Sequence, residues 1–415
     1  MEFKKEVEKL SKEASLLCRK KFEEIESIEE INSKKVLESF IEAKVSETNF
    51  VPTTGYGYGD RGREKIDELF SCIFHTEDAI VRHGLVSGTH ALSTALFGVL
   101  RPGDKILSVT GIPYDTMLGV INGEGIGSLK DFGIQFNFFE ESLDSETYFE
   151  NLRKEISKGY KAIYLQRSRG YSLRKSLLAK EIGEIIEFVK KIDSSIIAIV
   201  DNCYGEFAEP IEPSDYSADL IIGSLIKNPG GGIASCGGYI AGKRNLIELC
   251  AQRFTAPGIG KEVGASLRGY MDLFMGVYNA PQAVAQALKI AVFASALFEL
   301  MGYEVYPKFS EPRADIVQSI VLGSERELVL FCQGIQSGSP IDSFVSPEPW
   351  EMPGYENKVV MAAGNFISGS SIELSADAPI RPPYAVWVQG GTCFYSAKVG
   401  ILKACEKILN KNLYY

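Results

Sequence analysis

Apolar residues near the N-terminus recur with the spacing of a helix. Phe3, Val7, Leu10 and Leu17 are separated by charged residues, so the pattern predicts one or two amphipathic helices. The charged side of such an arm either faces solvent or packs on a partner subunit, and the pattern favours neither.

The pattern changes between residues 79 and 245, where short, continuously apolar runs alternate with helix-like segments. The runs are AIVRHG, KILSVTG, IQFNFF, KAIYLQ, IIAIVDN, ADLIIGS and GGYIAG. The segments between them include ALSTALFGVL, SETYFENLRKEISKG and AKEIGEIIEFVKKID. Strands that are apolar on both faces are typical of a sheet buried between helix layers. We therefore predict an α/β fold with a parallel or mostly parallel sheet.

A long helical stretch at about 262–301 follows and could link two domains. The remainder, 303–415, combines short apolar runs with a last helix near 394–410, which predicts a smaller α/β domain. The predicted units are an N-terminal helical arm at 1–50, a large domain at 51–290 and a small domain at 291–415.

Composition narrows the class of protein. The 415 residues are 45% apolar and 24% charged, with a net charge of −10, which is typical of a globular protein and argues against nucleic acid or an anionic membrane as partner. No apolar run reaches the ~18 residues of a membrane span, and the charged N-terminus is no signal peptide. Eight scattered cysteines without a CxxC pair indicate reduced thiols in the cytoplasm. The three histidines lack HExxH-type spacing, so we predict no metal site.

Candidate chemistry lies where the strands end, since functional groups of open α/β sheets gather at the carboxyl ends of the strands. Ser87, Gly88 and Thr89 come between the first run and a helix. Free backbone N–H groups at a helix N-terminus suit a phosphate. A plain helix cap by Ser87 or Thr89 explains the motif equally well.

Two further strand ends carry an aromatic ring and a carboxylate. Tyr114 follows KILSVTG and could lie flat on a planar ligand, although a half-buried loop tyrosine is the simpler interpretation of this motif alone. Asp201 ends the wholly apolar run IIAIV, where an unpaired carboxylate is costly to bury. It needs a cation, which a protonated pyridine nitrogen, an arginine or a lysine would supply equally well.

Lys227 follows ADLIIGS and stands just before three glycines. Ser224 adds a hydroxyl at the same strand end. A phosphate cradle, a flat aromatic ring, a buried carboxylate and this lysine together outline a site for pyridoxal 5′-phosphate, in which Lys227 forms the Schiff base. The glycines are interpreted as leaving room for the cofactor to approach the backbone.

The sequence also resembles the fold-type I pyridoxal phosphate enzymes of cysteine and methionine metabolism, which share the aspartate aminotransferase fold. It is most similar to the bacterial group described as methionine γ-lyase-like or aluminium resistance proteins. The resemblance covers about residues 50–400. Its motifs are TTGYGYGDRGRE, SGTHAL, TGIPYDT, QRSRGYS, VDNCYGEF, GSLIKNPGGGIA, TAPGIGKEVGA, FCQGIQ, PEPWEMPGY and SSIELSADAPIRPPY.

The resemblance implies a role for each residue at the strand ends. Phosphate contacts fall to Ser87, Gly88, Thr89 and Ser224. Tyr114 would stack on the ring, Asp201 would pair with the ring nitrogen N1, and Lys227 would bind the cofactor covalently.

Three further roles follow from the same resemblance. In related lyases a tyrosine and an arginine of the neighbouring subunit reach the phosphate, and Tyr56, Tyr58 and Arg61 are the candidates here. Arg381 is the candidate for the substrate carboxylate. Where the lyases have an asparagine-proline motif this chain has QRSRGYS, so Arg169 or Gln166 would contact the cofactor O3′. Such sites are shared between subunits, which implies a homodimer or homotetramer.

The predicted function is therefore a carbon–sulfur lyase that eliminates a thiol from the β or γ carbon of a sulfur-containing amino acid, as cystathionine β-lyase and methionine γ-lyase do. Burial and a nearby cationic centre are expected to lower the pKa of Lys227, which would make it a general base. An aminotransferase and a cofactor-binding regulatory protein are the alternatives. A nucleotide-phosphate enzyme ranks last, because no GxxxxGK[ST] or GxGxxG stands at a strand–helix junction.

Overall fold

The structure is a computed structural model that describes residues 2–352 and 356–410. Within them, the helices are α1 (Lys5–Leu17), α2 (Arg19–Glu42), α3 (Arg61–Ile73), α4 (Gly88–Val99), α5 (Asp115–Asn122), α6 (Tyr148–Ile156), α7 (Ala179–Ile192), α8 (Arg244–Phe254), α9 (Met271–Leu300), α10 (Glu325–Ser337) and α11 (Phe394–Leu409). The strands are β1 (Asp78–Arg82), β2 (Lys105–Ser108), β3 (Gln135–Phe138), β4 (Ala162–Gln166), β5 (Ile197–Asp201), β6 (Leu220–Ser224), β7 (Gly238–Gly242), β8 (Glu304–Tyr306), β9 (Gln318–Val321), β10 (Val359–Ala363), β11 (Ser375–Pro379) and β12 (Ala385–Gln389).

All seven apolar runs form strands of one sheet, in the order β1-β7-β6-β5-β4-β2-β3. Strands β3, β2, β4, β5 and β6 are parallel, and only β7 runs antiparallel to its neighbours β6 and β1. β4, β5 and β6 are buried along almost their whole length because helices cover both faces of the sheet. The prediction of a mostly parallel sheet is confirmed.

The register of this sheet aligns the ends of three strands. Asp201 is paired with Gln166 of β4 on one side and with Ile222 of β6 on the other, two residues before Ser224. The carboxyl ends of β4, β5 and β6 therefore meet at one edge, called here the carboxyl edge.

The second sheet is antiparallel throughout, in the order β10-β11-β12-β9-β8. It forms the smaller unit with α10 and α11, which pack against each other. The loop that follows β11 carries Arg381 back towards the large sheet, where it reaches the Tyr171 carbonyl.

The N-terminal helices bury their apolar face on their own chain. The Cys18 thiol, between α1 and α2, points at the Val292 carbonyl of α9, and the Asn32 amide donates to the carbonyls of Phe207 and Glu209. The arm is therefore neither detached nor merely solvent-facing, although Leu37 and Ile41 stay exposed on α2.

α9 joins the two sheets and is the core helix of the molecule. It is long and apolar enough in composition to span a membrane, but 78% of its most apolar window is buried inside the protein, which explains that composition. The predicted domain boundary at 290/291 lies inside this helix. The division at 50/51 and 290/291 stays a prediction.

Candidate active site

A cavity of about 510 Å³ opens at the carboxyl edge. Its walls come from the β1–α4 turn, the β2–α5 loop, the segments after β4, β5 and β6, and the loop after β11. It brings together the predicted residues Ser87, Gly88, Thr89, Tyr114, Gln166, Arg169, Asp201, Ser224, Lys227 and Arg381. The topology thus gathers groups that are up to about 300 residues apart in sequence.

The β1–α4 turn presents the start of a helix to the cavity. The Ser87 hydroxyl accepts a hydrogen bond from the His90 N–H at 3.0 Å, so it does cap α4. Among the described residues no group accepts a hydrogen bond from the Gly88 or Thr89 N–H. A Cβ on Gly88 would lie 3.3 Å from the Ser224 Cβ, so this turn packs on the end of β6. The helix cap and an anion-binding site are therefore compatible, because capping by Ser87 leaves the N–H groups of Gly88 and Thr89 free to bind an anion.

Tyr114 is held across the cavity at both ends. Its hydroxyl lies 3.0 Å from the Thr89 hydroxyl, and its backbone N–H donates to the Gln166 side-chain oxygen at 2.9 Å. Burial raises the pKa of the Tyr114 phenol, so the side chain is neutral at physiological pH. A neutral ring fixed in this way offers a flat face to a planar ligand.

Asp201 is 3% exposed and has no cationic partner within 4.0 Å in the part of the chain that the structure describes. The Cys203 N–H and the Tyr164 hydroxyl donate to its carboxylate, at 3.1 and 3.3 Å. Burial raises its pKa, while Lys227 and the hydrogen bonds from Cys203 and Tyr164 act in the opposite direction. A buried carboxylate without an ion pair is costly, and a cation that enters the cavity would relieve that cost.

Lys227 extends into the same cavity from the turn after β6. Its Nζ lies 3.9 Å from the centroid of the Tyr204 ring and makes no ion pair with a described residue. Burial alone would lower the pKa of Lys227, but Cys203, Tyr204, Tyr114 and Asp201 together raise it well above its usual range. The expectation of a lowered pKa is therefore wrong for the chain without cofactor, where the acidic neighbours outweigh burial and Lys227 is an ammonium.

The glycines after Lys227 serve packing and do not border the cavity. A Cβ on Gly230 would collide with the Leu225 carbonyl, and one on Gly231 with the Gly276 carbonyl of α9. The turn can approach α9 this closely only without side chains. The interpretation that these glycines leave room for a cofactor is therefore wrong.

Two arginines line the cavity, and their guanidinium groups differ in how strongly they are bonded to the protein. The Arg381 guanidinium makes one long hydrogen bond, 3.5 Å to the Tyr171 carbonyl, and no ion pair with a described residue. Arg169 donates at 3.0 Å to the Tyr306 carbonyl and at 3.3 Å to the Ser176 hydroxyl. Arg381 thus has its charge available to an anion, with only the longer-range attraction of Asp115 acting on it, whereas Arg169 is already hydrogen-bonded to the protein.

Tyr56, Tyr58 and Arg61 lie outside the cavity. The two tyrosines are 73% and 71% exposed, and their ring centroids are 5.6 Å apart. Their loop is nevertheless tied down by Arg63, a buried arginine that the sequence did not single out. Its guanidinium donates to the carbonyls of Gly57 and Gly264, at 2.8 and 3.1 Å. Within one chain these three predicted residues do not reach the site.

The cavity also contains residues that the sequence analysis did not assign. Asp115 lines it without a hydrogen bond or ion pair to a described residue, and Tyr204 contacts Lys227. Tyr164, beneath the cavity, donates to Asp201. A tyrosine within the otherwise apolar strand β4 was a usable signal, because a buried phenol needs a hydrogen-bond partner. Nothing in the local sequence distinguished Asp115 or Tyr204.

Comparisons with known proteins agree with this geometry. Residues 7–409 match the family model described as methionine gamma-lyase. The uncharacterized protein YnbB of Bacillus subtilis is 48% identical over 393 residues, which are 94% of this chain and 93% of that protein.

Solved structures extend the comparison. A carbon-sulfur lyase involved in aluminium resistance from Clostridium novyi is 46% identical, with a TM-score of 0.93 over 98% of this chain and 96% of that one. The pyridoxal-5′-phosphate-dependent protein YhfS of Escherichia coli is 14% identical, with a TM-score of 0.64 over 93% and 97% of the two chains. At that identity the likeness shows the fold alone. The predicted family and the fold-type I architecture are confirmed.

Proposed function

We propose, since the chain belongs to the methionine gamma-lyase family, that it cleaves a carbon–sulfur bond of a sulfur-containing amino acid with pyridoxal 5′-phosphate. The family and the structural relatives support a pyridoxal phosphate-dependent carbon–sulfur lyase. One observation carries the proposal: a buried carboxylate, Asp201, and a lysine, Lys227, share one cavity, and neither has an ion-pair partner among the described residues.

The residues fit the cofactor. The free N–H groups of Gly88 and Thr89, with the Ser87 and Ser224 hydroxyls beside them, would hold the phosphate. Tyr114 would cover the ring, Asp201 would pair with N1, and Lys227 would bind the aldehyde carbon. When bound, the pyridoxal group withdraws electrons from the substrate α-carbon and acidifies its Cα–H.

The remaining steps belong to side chains of the chain. Lys227, once free as an amine, accepts the Cα proton of a substrate bound in the cavity that the lysine lines. Asp201, which stays ionised when a cation faces it, would favour the protonated form of the ring nitrogen. Arg381 binds the substrate α-carboxylate, for which its unpaired guanidinium is suited. The thiol departs from the β or γ carbon, and hydrolysis leaves an α-keto acid and ammonia.

A homo-oligomer that shares its sites completes the proposal. Tyr56 and Tyr58 project from the surface, and Met271, Met275 and Tyr278 form an exposed apolar row on α9, each about half exposed. Apolar surface of this kind marks a protein contact. A second copy would cover this surface, and the family resemblance implies that its loop then reaches the phosphate site of the first. Light scattering at micromolar concentration is expected to give the mass of a dimer or tetramer, and a monomer would contradict this part of the proposal.

The proposed location is the cytoplasm. All eight cysteines are free thiols, as expected of a reducing compartment. Fractionation of cells that express the chain tests this directly.

The first test is the visible absorption spectrum of the protein with pyridoxal phosphate, recorded for the wild type and for Lys227→Ala. The wild type is expected to show a yellow band that borohydride converts into a stable adduct on Lys227, and the variant is expected to form neither. L-Cystathionine, L-cysteine and L-methionine are then supplied without any keto acid. Release of keto acid and thiol supports the lyase. Dependence on an added keto-acid acceptor would indicate an aminotransferase, and binding without Cα deuterium exchange would indicate a regulatory protein.

A further inference from the structure

Tyr204 supplies the contact that Lys227 makes in the absence of an ion pair. The lysine Nζ lies 3.9 Å from the centroid of the Tyr204 ring, well inside the range of a cation–π interaction. The ring also lines the cavity beside Asp201 and Cys203. The ammonium therefore rests on an aromatic face at the point where the cofactor would be bound.

The backbone at Tyr204 is unusual for a large side chain. Its φ is +71°, a left-handed conformation that bulky residues rarely adopt. Such a conformation persists only where the surroundings enforce it, and these positions cluster at functional sites. A strained aromatic residue in contact with the proposed cofactor lysine is thus a candidate for function.

Two elements hold Tyr204 in place through its carbonyl oxygen. It accepts a hydrogen bond from the Asn228 side chain at 2.9 Å and one from the Ile316 N–H at 3.3 Å. Asn228 directly follows Lys227 in the chain and also donates to the Glu206 carbonyl at 2.9 Å. The Tyr204 backbone is therefore tied to the residue that follows Lys227 by the same asparagine.

We propose that Tyr204 is the positioning residue of Lys227: its ring holds the ε-ammonium whenever the lysine is not bonded to the cofactor. The inference rests on the proposed role of Lys227. It goes beyond that role in stating where the amine lies before it reacts and what controls its release. The strained backbone of Tyr204 keeps the ring under the lysine in that state.

The chemical consequence concerns cofactor uptake. To bind pyridoxal phosphate, the ammonium gives one proton to solvent, the amine nitrogen bonds to the aldehyde carbon, and the aldehyde oxygen leaves as water. A ring that stabilises the ammonium raises the pH at which this condensation becomes fast. Without the ring, uptake becomes fast at lower pH.

The experiment follows the growth of the visible band after pyridoxal phosphate is added to cofactor-free full-length protein, from pH 6 to pH 9. Tyr204→Phe keeps the aromatic face and removes the hydroxyl. Tyr204→Asn removes the face, and asparagine tolerates a positive φ. Lys227→Ala, treated with borohydride, shows that the band reports this lysine. Thermal melting of each cofactor-free variant checks that it is folded.

The rate of band growth is plotted against pH, and the midpoint is the pH at which it reaches half its maximum. We expect this midpoint to fall by about one pH unit in Tyr204→Asn and to stay unchanged in Tyr204→Phe. Equal midpoints in all three proteins, or equal shifts in both variants, would overturn the inference. If the wild type forms no band, the proposed function itself fails. If Tyr204→Asn does not fold, 3,4,5-trifluorophenylalanine at position 204 keeps the size and weakens the negative ring face. The midpoint should then fall relative to Tyr204→Phe, and an unchanged one would overturn the inference.

Discussion

The carboxyl edge and the loop at residues 48–60 both contain glycines and tyrosines, yet the tyrosine side chains of the two regions differ in what surrounds them. At the carboxyl edge, Tyr114 and Lys227 point into a cavity of their own chain. In the loop, Tyr56 and Tyr58 point outwards, although Arg63 fixes the backbone beneath them. The groups of the first region are brought together by one chain, whereas the described residues of that chain leave the two tyrosines of the second region exposed.

The two regions obtain their partners in different ways. The strand ends at the carboxyl edge are brought together by sheet register, which one chain fixes. The loop is ordered by contacts with the 260–266 segment, among them the bond from the Gly264 N–H to the Tyr56 carbonyl at 3.0 Å. An ordered loop with exposed aromatic side chains is suited to insertion into another molecule.

The largest loss of turnover is expected from Asp201→Asn, which changes the carboxyl edge and leaves the loop at residues 48–60 intact. The amide cannot pair with a protonated ring nitrogen, so turnover should fall by about a hundredfold or more. The yellow band should still form, because Lys227 is intact. Keto-acid release and the spectrum of the same sample measure both effects. Turnover within a few-fold of the wild type would remove Asp201 from the site.

A mixed-subunit experiment tests whether the loop acts on a neighbouring cavity. One parent is Lys227→Ala, and the other combines Tyr56→Ala, Tyr58→Ala and Arg61→Ala. Each parent should be nearly inactive. Dimers that contain one subunit of each kind have one intact site, so unfolding and refolding an equal mixture should restore about a quarter of the wild-type activity.

The outcome decides between two arrangements of the loop. Recovery supports a site that is shared between subunits. No recovery, with mixed oligomers demonstrated by differential tagging, would mean that the loop acts on its own chain or on neither. A triple variant that is fully active alone would remove these three residues from the site.

Arg381→Lys tests whether Arg381, which makes no ion pair with a described residue, binds the substrate carboxylate. Lysine keeps the charge but loses the forked geometry for a carboxylate, so KM should rise by about tenfold with a smaller change in kcat. Arg169→Lys is the matched comparison, because the Arg169 guanidinium is held by Tyr306 and Ser176. Equal effects of the two substitutions on KM would contradict the assignment of the substrate carboxylate to Arg381.

The smallest effect concerns Glu206, a buried acid behind the cavity. The Tyr239 hydroxyl donates to one of its oxygens at 2.9 Å, and the other has no partner among the described residues. Burial raises the pKa of Glu206 from 4.5 to about 8. Between these two values the folded protein holds a proton that the unfolded chain releases, so the free energy of unfolding falls as pH rises through that window.

Glu206→Gln removes this titration. Its melting temperature should match that of the wild type near pH 5 and exceed it by a few degrees at pH 8, with the gap constant above that. Scanning calorimetry of the cofactor-free proteins at several pH values measures the gap. The same gap at every pH would show that Glu206 is ionised in the folded protein throughout.

Sequence pattern determined the strands, the helices and most of the cavity, for local reasons. Apolar runs specify β1 to β7 whatever surrounds them, and polar residues directly after such strands meet at one edge because parallel strands end together. Ser87, Tyr114, Asp201 and Lys227 could therefore be placed without coordinates. The resemblance of long motifs supplied Arg381, which no local pattern connects with the large sheet.

How these groups interact is fixed only by the folding of the whole chain. The contact of the Tyr204 ring with Lys227 occurs beside a left-handed backbone at Tyr204 and two long-range hydrogen bonds to its carbonyl, and the pKa of Lys227 depends on the sum of its neighbours. The glycines after Lys227 are required by α9, a helix that begins 40 residues later in the chain. Periodicity reports which face of an element is apolar. The direction of a side chain, the burial of a charge and the close approach of two backbones depend on segments distant in sequence, so they are fixed only when the chain packs.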